Sequence, residues 1–589
     1  MMKRFLTAVL GSFVGAWIAL VLMSVVAVLI SLAVMGSAWS SGSEFRPVGK
    51  NSVLRIDLGM NVGERDRSDL SFNSTYGYKI VSTTGLSTIL KGIKAAATDD
   101  NISAIFIDCK GTTVGFASRY EIRQALADFK RSGKPVYAYG DNISQGDYFI
   151  ASVADSVFLN PIGTVDIHGL QSITPYYKKM LDKVGIEMQV ARVGTFKSAV
   201  EPYTLTGMSD ASRLQKEHYL GNMWGVMAEA IASSRGLSVE TVNAMADDIT
   251  LFHTGGYFLK WNLVDSLCYR HEMIERMRRL TKVDRFDDPR FVEVGDVVAS
   301  SPLYGGSSDD IIAVVYADGE IDGGGVDDID SGALVRDIVT LANDDCVKGV
   351  VIRVNSPGGS AFGSEQIWQA LEEVKAAGKP VAASMGDCAA SGGYYISCGA
   401  ERIFAEPVTL TGSIGIYGAV PCFQDLAEQK IGVTFSEVST SKGGVLSMMR
   451  RLTPAQLAKL QAKVDDGYEL FTSRCAQGRG MTQDSLKLIA EGRVWDGISA
   501  LDNGLVDEFG TLDDAISWVA GQAGLSKYDT EAYPSTDESL ARYLSTFVHA
   551  AMSERFKSQA GELFQYYDAV ESVIKRDPLQ CLMEPVEIK

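Results

Sequence analysis

The sequence predicts an α/β fold in which one parallel-sheet unit occurs twice in tandem, and three observations carry that prediction. Blocks recur in the same order: Gln124-Ala125-Leu126 returns as Gln369-Ala370-Leu371, Gly133-Lys134-Pro135-Val136 as Gly378-Lys379-Pro380-Val381, and Leu263-Val264-Asp265 as Leu505-Val506-Asp507, at an offset of about 245 residues. Within each copy, short β-branched runs alternate with helix-period stretches, 102–107 then 119–130 and 349–354 then 364–377. Such alternation forms parallel sheets, because a parallel return needs a crossover long enough to hold a helix. Finally, 589 residues with 46% apolar content exceed what one core supports, since domains stop growing near roughly 300 residues.

Taken in order, Lys3 and Arg4 precede a stretch from Phe5 to Ser43 without a charge, and the next charged residue is Glu44. That run exceeds the roughly 7–15 apolar residues of a cleavable signal and fits a transmembrane anchor over 1–44. Positive residues before the span keep the N-terminus inside and export the body. In a bacterium the chain would cross the inner membrane once, with a periplasmic body. The repeats follow as domains over 45–300 and 301–535. Between them, Asp284 to Gly306 is rich in Asp, Pro, Gly and Ser without helical periodicity, and reads as a linker. A tail over 536–589 carries Leu540, Tyr543, Leu544, Phe547, Leu563, Phe564 and Tyr567 at helical spacing and predicts packing helix.

A formal charge of −18 and a pI near 4.9 argue against a nucleic-acid surface. The eight cysteines lack the close pairs of a zinc site and read as mostly free and buried.

The candidate chemistry lies in the second copy. The strand Val350 to Val354 runs into Asn355-Ser356-Pro357-Gly358-Gly359-Ser360, where glycines after proline let backbone N–H groups turn outward and stabilise an oxyanion. A second strand, Pro380 to Met385, leads to Ala390-Ser391-Gly392-Gly393-Tyr394, so Ser391 stands where a strand gives way to a helix. It could be an exposed nucleophile or a plain N-cap. The first copy has Gln145 at the position of Ser391 and Gly111-Thr112-Thr113-Val114-Gly115 in place of the glycine loop. One copy kept the apparatus and the other lost it.

A serine nucleophile needs a base, ordinarily histidine. Only His168, His218, His253, His271 and His549 exist, none lies between 272 and 548, and His253 aligns with Trp495, which suggests packing. The remaining base is a lysine whose burial favours the neutral amine. A thousandfold easier deprotonation corresponds to roughly 4 kcal/mol of disfavoured charging and requires an apolar pocket. Lys197, in Gly194-Thr195-Phe196-Lys197-Ser198-Ala199-Val200-Glu201-Pro202, is the better candidate, against the ordinary fate of a surface lysine. Ser413, in Thr411-Gly412-Ser413-Ile414-Gly415, could hydrogen-bond the neutral amine.

Together these segments resemble the long, duplicated form of protease IV, or signal peptide peptidase A, a bacterial membrane serine protease. The resemblance covers the anchor, both repeats and the tail. It implies tandem Clp protease/crotonase-like domains, with Ser391 as nucleophile, Lys197 as general base, Ser413 orienting the lysine, and Gly359 and Gly392 N–H groups as the oxyanion hole. It also implies a homotetramer that digests signal-peptide remnants and other short or unfolded peptides without metal or cofactor. One departure is Lys442, in Ser439-Thr440-Ser441-Lys442-Gly443, which occupies the repeat position of Lys197 and is the alternative base. Single-copy relatives take their lysine from such a position, whereas the residues after Lys197 look like the long form. The rival readings are a crotonase-like acyl-CoA enzyme and a non-catalytic peptide-binding scaffold.

Overall fold

A computed structural model describes residues 47–73, 77–304, 308–325, 327–441, 443–535, 579–585 and 588. The anchor expected over 1–44, the helical stretch expected from Leu540 to Tyr567, and Lys442 lie outside the described residues. Among the described residues no helix is long and apolar enough to cross a membrane.

The duplication is visible in the strand order of two sheets. In the first, Phe291–Val292, Ser52–Asp57, Ile102–Cys109, Val136–Gly140, Ser156–Leu159 and Ser266–Leu267 lie side by side, all parallel. The second repeats this order with Asp529–Tyr533, Ile311–Asp318, Val347–Ser356, Val381–Ala390, Arg402–Ala405 and Glu508–Phe509. Leu410–Gly412 continues parallel from the upper end of Val381–Ala390, and Val494–Asp496 adds to it antiparallel. The strands are buried on both faces, as parallel strands covered by crossover helices must be, and so read as unbroken apolar runs. The crossover helices Phe116–Lys130 and Ala361–Ala376 stand where the helical periodicity put them.

Two segments depart from the sequence reading. The linker expected from Asp284 to Gly306 holds the strand Phe291–Val292 and the short helix Val294–Ser300. Val294 and Val297 bury themselves in the first core, and Glu293 and Asp296 form a capping box. Seven residues are too few for a period to register, so tertiary packing decides. In the tail, expected to be helical over 536–589, Leu579–Leu582 forms a strand.

That strand belongs to a third sheet, which joins the two repeats. Its order is Gly358–Ser360, Leu579–Leu582, Tyr417–Cys422, Glu187–Arg192, and every pairing is antiparallel. Glu187–Arg192 comes from the first repeat and Tyr417–Cys422 from the second. A buried ionic cluster reinforces the junction: Arg353, 1% exposed, donates to Glu64 at 2.8 Å and to Glu121 at 3.0 Å, both carboxylates of the first repeat.

Candidate active site

The Val381–Ala390 strand ends one residue before the helix Gly392–Ser397, and Ser391 makes the turn between them with φ 57° and ψ −112°. A non-glycine residue rarely adopts this conformation, which costs on the order of 1–3 kcal/mol and persists where surrounding structure enforces it. The enforcement is local: Ser391 N donates to Gly412 O at 2.8 Å, and Tyr395 N donates to Ser391 O at 2.8 Å. Its side chain makes no capping hydrogen bond, so the N-cap alternative fails. The hydroxyl instead meets Lys197 Nζ at 2.7 Å.

Lys197 arrives from the other repeat. After Glu187–Arg192 pairs with Tyr417–Cys422, the chain is tied to the second repeat by Val193 N to Ile416 O at 3.1 Å and Phe196 N to Glu491 O at 3.0 Å. The lysine is 1% exposed, and its stem passes between two glycines. A methyl group built on Gly492, whose φ is +76°, would lie 2.7 Å from Lys197 Cβ, and one on Gly415 would lie 3.3 Å from Cδ. The lysine needs that empty space on both sides. Besides Ser391, its amine reaches Ser413 O at 3.0 Å and Ser413 Oγ at 3.1 Å. Burial pushes the ammonium down to about 7, with the Cys581 thiol acting in the opposite direction. From an ordinary value near 10.5, this corresponds to roughly 5 kcal/mol of disfavoured charging. A neutral amine against a serine hydroxyl can take that proton.

The glycine loop lies alongside. Gly358 and Gly359 have φ of 101° and 151°, and a methyl group on Gly358 would fall 2.6 Å from Gly392 N. The loop and the start of the Gly392–Ser397 helix therefore converge beside Ser391. Of the alternatives raised by the sequence, the described histidines do not hydrogen-bond Ser391. His168 pairs with Asp166, His218 meets Ser499 Oγ at 2.9 Å, His253 stacks on Tyr257 with ring centroids 3.9 Å apart, and His271 stacks on Tyr269. Ser441 and Gly443, which flank Lys442, are exposed.

Sequence reasoning missed three features. The first is the pair Glu491 and Gly492, which clasp the lysine loop. The second is Ser198, whose hydroxyl donates to Glu584 at 2.7 Å, with Lys216 Nζ 2.9 Å from the same carboxylate. The third is the strand Leu579–Leu582 beside the glycine loop, for which the short apolar run Cys581-Leu582-Met583 was the available signal.

The model of the family described as "Peptidase family S49" matches residues 128–284 and again 373–526, once in each repeat. "Protease 4" of Salmonella typhi is 38% identical over 461 residues, which span 76% of this chain and 74% of that one. "Protease 4" of Haemophilus influenzae is 37% identical over 67% of this chain and 65% of its own length. "Serine protease SPPA, chloroplastic" of Arabidopsis thaliana is 28% identical over 81% of this chain and 70% of its own length. Among solved structures, a ClpP1 mutant from Listeria monocytogenes matches 34% of this chain and 94% of its own at 18% identity, with a TM-score of 0.23. With both repeats matched and relatives this similar over most of their length, the chain belongs to peptidase family S49.

Proposed function

We propose that this serine peptidase works through a dyad split between its repeats, with Ser391 as nucleophile and Lys197 as general base. The observation that carries the reading is the 2.7 Å contact between Lys197 Nζ and Ser391 Oγ inside a pocket that favours the neutral amine. In this mechanism Lys197 takes the hydroxyl proton as Ser391 Oγ attacks a peptide carbonyl, forming a tetrahedral oxyanion held by the Gly359 and Gly392 N–H groups. The resulting ammonium, held by Ser413, returns the proton to the departing amine as the C–N bond breaks. Water then attacks the ester carbonyl as Lys197 takes its proton, and the ammonium gives that proton to Ser391 Oγ as the C–O bond breaks, releasing the acid.

The substrates in this reading are peptides in extended form, signal-peptide remnants and other short or unfolded segments among them. The body works outside the cytoplasm from a single membrane anchor, as a homotetramer. What supports these finer points is the similarity to Protease 4 and the uncharged stretch from Phe5 to Ser43. The test is hydrolysis of a short apolar peptide ester by Lys197→Ala and Lys442→Ala, with folding checked for each. Lys197→Ala is expected to lose about 10⁴-fold in kcat/KM, and Lys442→Ala less than about twofold. The opposite pattern would move the base to Lys442.

A further inference from the structure

We propose that Gln215 is the positioning residue of this site, its one buried amide fixing the loop on both sides of Lys197 and tying it to the strand that supports the Ser391 turn. The inference rests on the dyad reading above and deepens it. Gln215 stands on the helix Asp210–Arg235 of the first repeat and is 2% exposed. Its amide nitrogen donates to Phe196 O and to Ser198 Oγ, both at 3.1 Å, in the residues immediately before and after the lysine. Its amide oxygen accepts from Val494 N at 3.0 Å, in the second repeat. Phe196 O can only accept and Val494 N can only donate, so the amide has a single orientation, with both its donors and its acceptor in use. Neither a carboxylate nor a thioether of the same size does the same. The first would set lone pairs against the Phe196 carbonyl, and the second would leave buried polar groups unmet.

What the amide grips on the far side is the support of the nucleophile. Val494 pairs antiparallel with Gly412, and Gly412 O accepts from Ser391 N at 2.8 Å. The preceding residue, Arg493, accepts from Ser413 N through its carbonyl at 2.7 Å and lays its guanidinium 5.0 Å from the centre of the Phe196 ring. Nucleophile and orienting serine therefore both hang on residues 493–494, and Gln215 is the side chain that brings the base to them. The helix that carries it is itself anchored. Its N-cap, Ser209, accepts from Ser212 N and donates to Glu201 at 2.6 Å, close after the lysine loop. At helical spacing from Gln215, His218 meets Ser499 Oγ and Asn222 donates to Asp496 at 2.9 Å, so one face of this helix lies along the second repeat. Arg192 also donates to Lys197 O, at 3.2 Å, but from an exposed residue where water can take its place. Gln215 acts in the interior, where nothing replaces it.

The experiment uses the full chain and compares wild type with Gln215→Met, which keeps the volume and removes all three hydrogen bonds, and with Gln215→Asn, which keeps the amide one methylene short of its partners. Folding of each is checked by thermal melting. Hydrolysis of a short apolar peptide ester from pH 5 to 9 gives kcat, KM and the midpoint of the acid limb. Gln215→Met is expected to lower kcat about 10²-fold with KM within about twofold of wild type. Its midpoint should move up by at least about half a pH unit, because a lysine free to lean out of its pocket meets more water and holds its proton more tightly. Gln215→Asn should change both in the same direction, with a loss in kcat of about tenfold. A folded variant with kcat within about threefold of wild type overturns the assignment. So does a loss in kcat at an unmoved midpoint, which would make Gln215 a packing residue. Lys197→Ala, assayed alongside, separates this inference from the dyad reading. If Lys197→Ala keeps wild-type activity, the dyad falls and the inference with it; if it is inactive while Gln215→Met is fully active, only the role of Gln215 is lost.

Discussion

The two repeats present the same junction of strand, loop and helix, and they differ in what stands at its turn. In the second repeat, Ser391 stands at the strand-to-helix turn with its hydroxyl on Lys197 and the Gly358-Gly359 loop beside it. In the first, Gln145 stands at that turn, its amide oxygen accepting from His168 N at 2.8 Å and Gly169 N at 2.9 Å, its amide nitrogen donating to Gly169 O at 2.8 Å. The corresponding loop points its N–H groups at an internal carboxylate, since Gly111 N and Thr112 N both donate to Asp147 at 2.8 Å. The difference teaches that this architecture supplies outward N–H groups whether or not they are used. In the first repeat these donors are satisfied from within, and in the proposed mechanism the corresponding groups of the second would hold an oxyanion.

The sharpest way to break the comparison is to exchange the nucleophile position. Ser391→Ala is expected to lower kcat/KM by about 10⁴-fold or more. Gln145→Ser should leave that loss unrepaired in the double variant, because Asp147 already occupies the donors of its loop. Ester hydrolysis with active-site titration checks both. A smaller loss is expected from Gly492→Ala: the added methyl meets Lys197 Cβ at 2.7 Å, and a displacement of the amine by about 1 Å costs on the order of 10²-fold. It should appear in kcat, at unchanged melting of the first repeat.

The pH profile sharpens the comparison further. Below about 7 the Lys197 ammonium cannot accept a proton, so kcat/KM should rise about tenfold per pH unit up to that point and level above it. The stability sign follows from the same lowering. Between about 7 and 10.5 the unfolded chain binds the proton that the folded chain lacks, so this lysine makes stability rise with pH across that window. A profile flat from pH 5 to 9 would remove lysine as the base. The smallest effect belongs to the degenerate site. Asp147→Asn, at a fully buried position, leaves one of two amide donors without its acceptor. It should cost about 1–3 kcal/mol in denaturant melts with hydrolysis unchanged.

Much of this was legible in the chain. Repeated blocks and βα alternation dictate two sheets of one strand order, because parallel strands buried on both faces leave unmistakable apolar runs. Ser391 was legible as a turn residue, but its two meanings differ only in a backbone angle and in what the hydroxyl touches, which no local pattern encodes. Lys197 was legible as a candidate base from its neighbours, but its pairing with Ser391 was not, as the two lie 194 residues apart. The Leu579–Leu582 strand was not legible, because its edges at Gly358 and Tyr417 are remote in sequence and a short apolar run suits helix or strand equally. The helix Val294–Ser300 was hidden for the opposite reason, being too short to show a period.

The sheet that pairs Glu187–Arg192 with Tyr417–Cys422 has a consequence for divisibility. If the proposed dyad holds, severing the chain between its repeats would leave the base on one half and the nucleophile on the other, each inert alone. Mixed, the halves would recover turnover only as they found one another, so the specific rate would climb with concentration as it does for an obligate heterodimer. The covalent connection makes the partner's effective concentration fixed and high, and turns what would be a second-order assembly into a property of a single molecule.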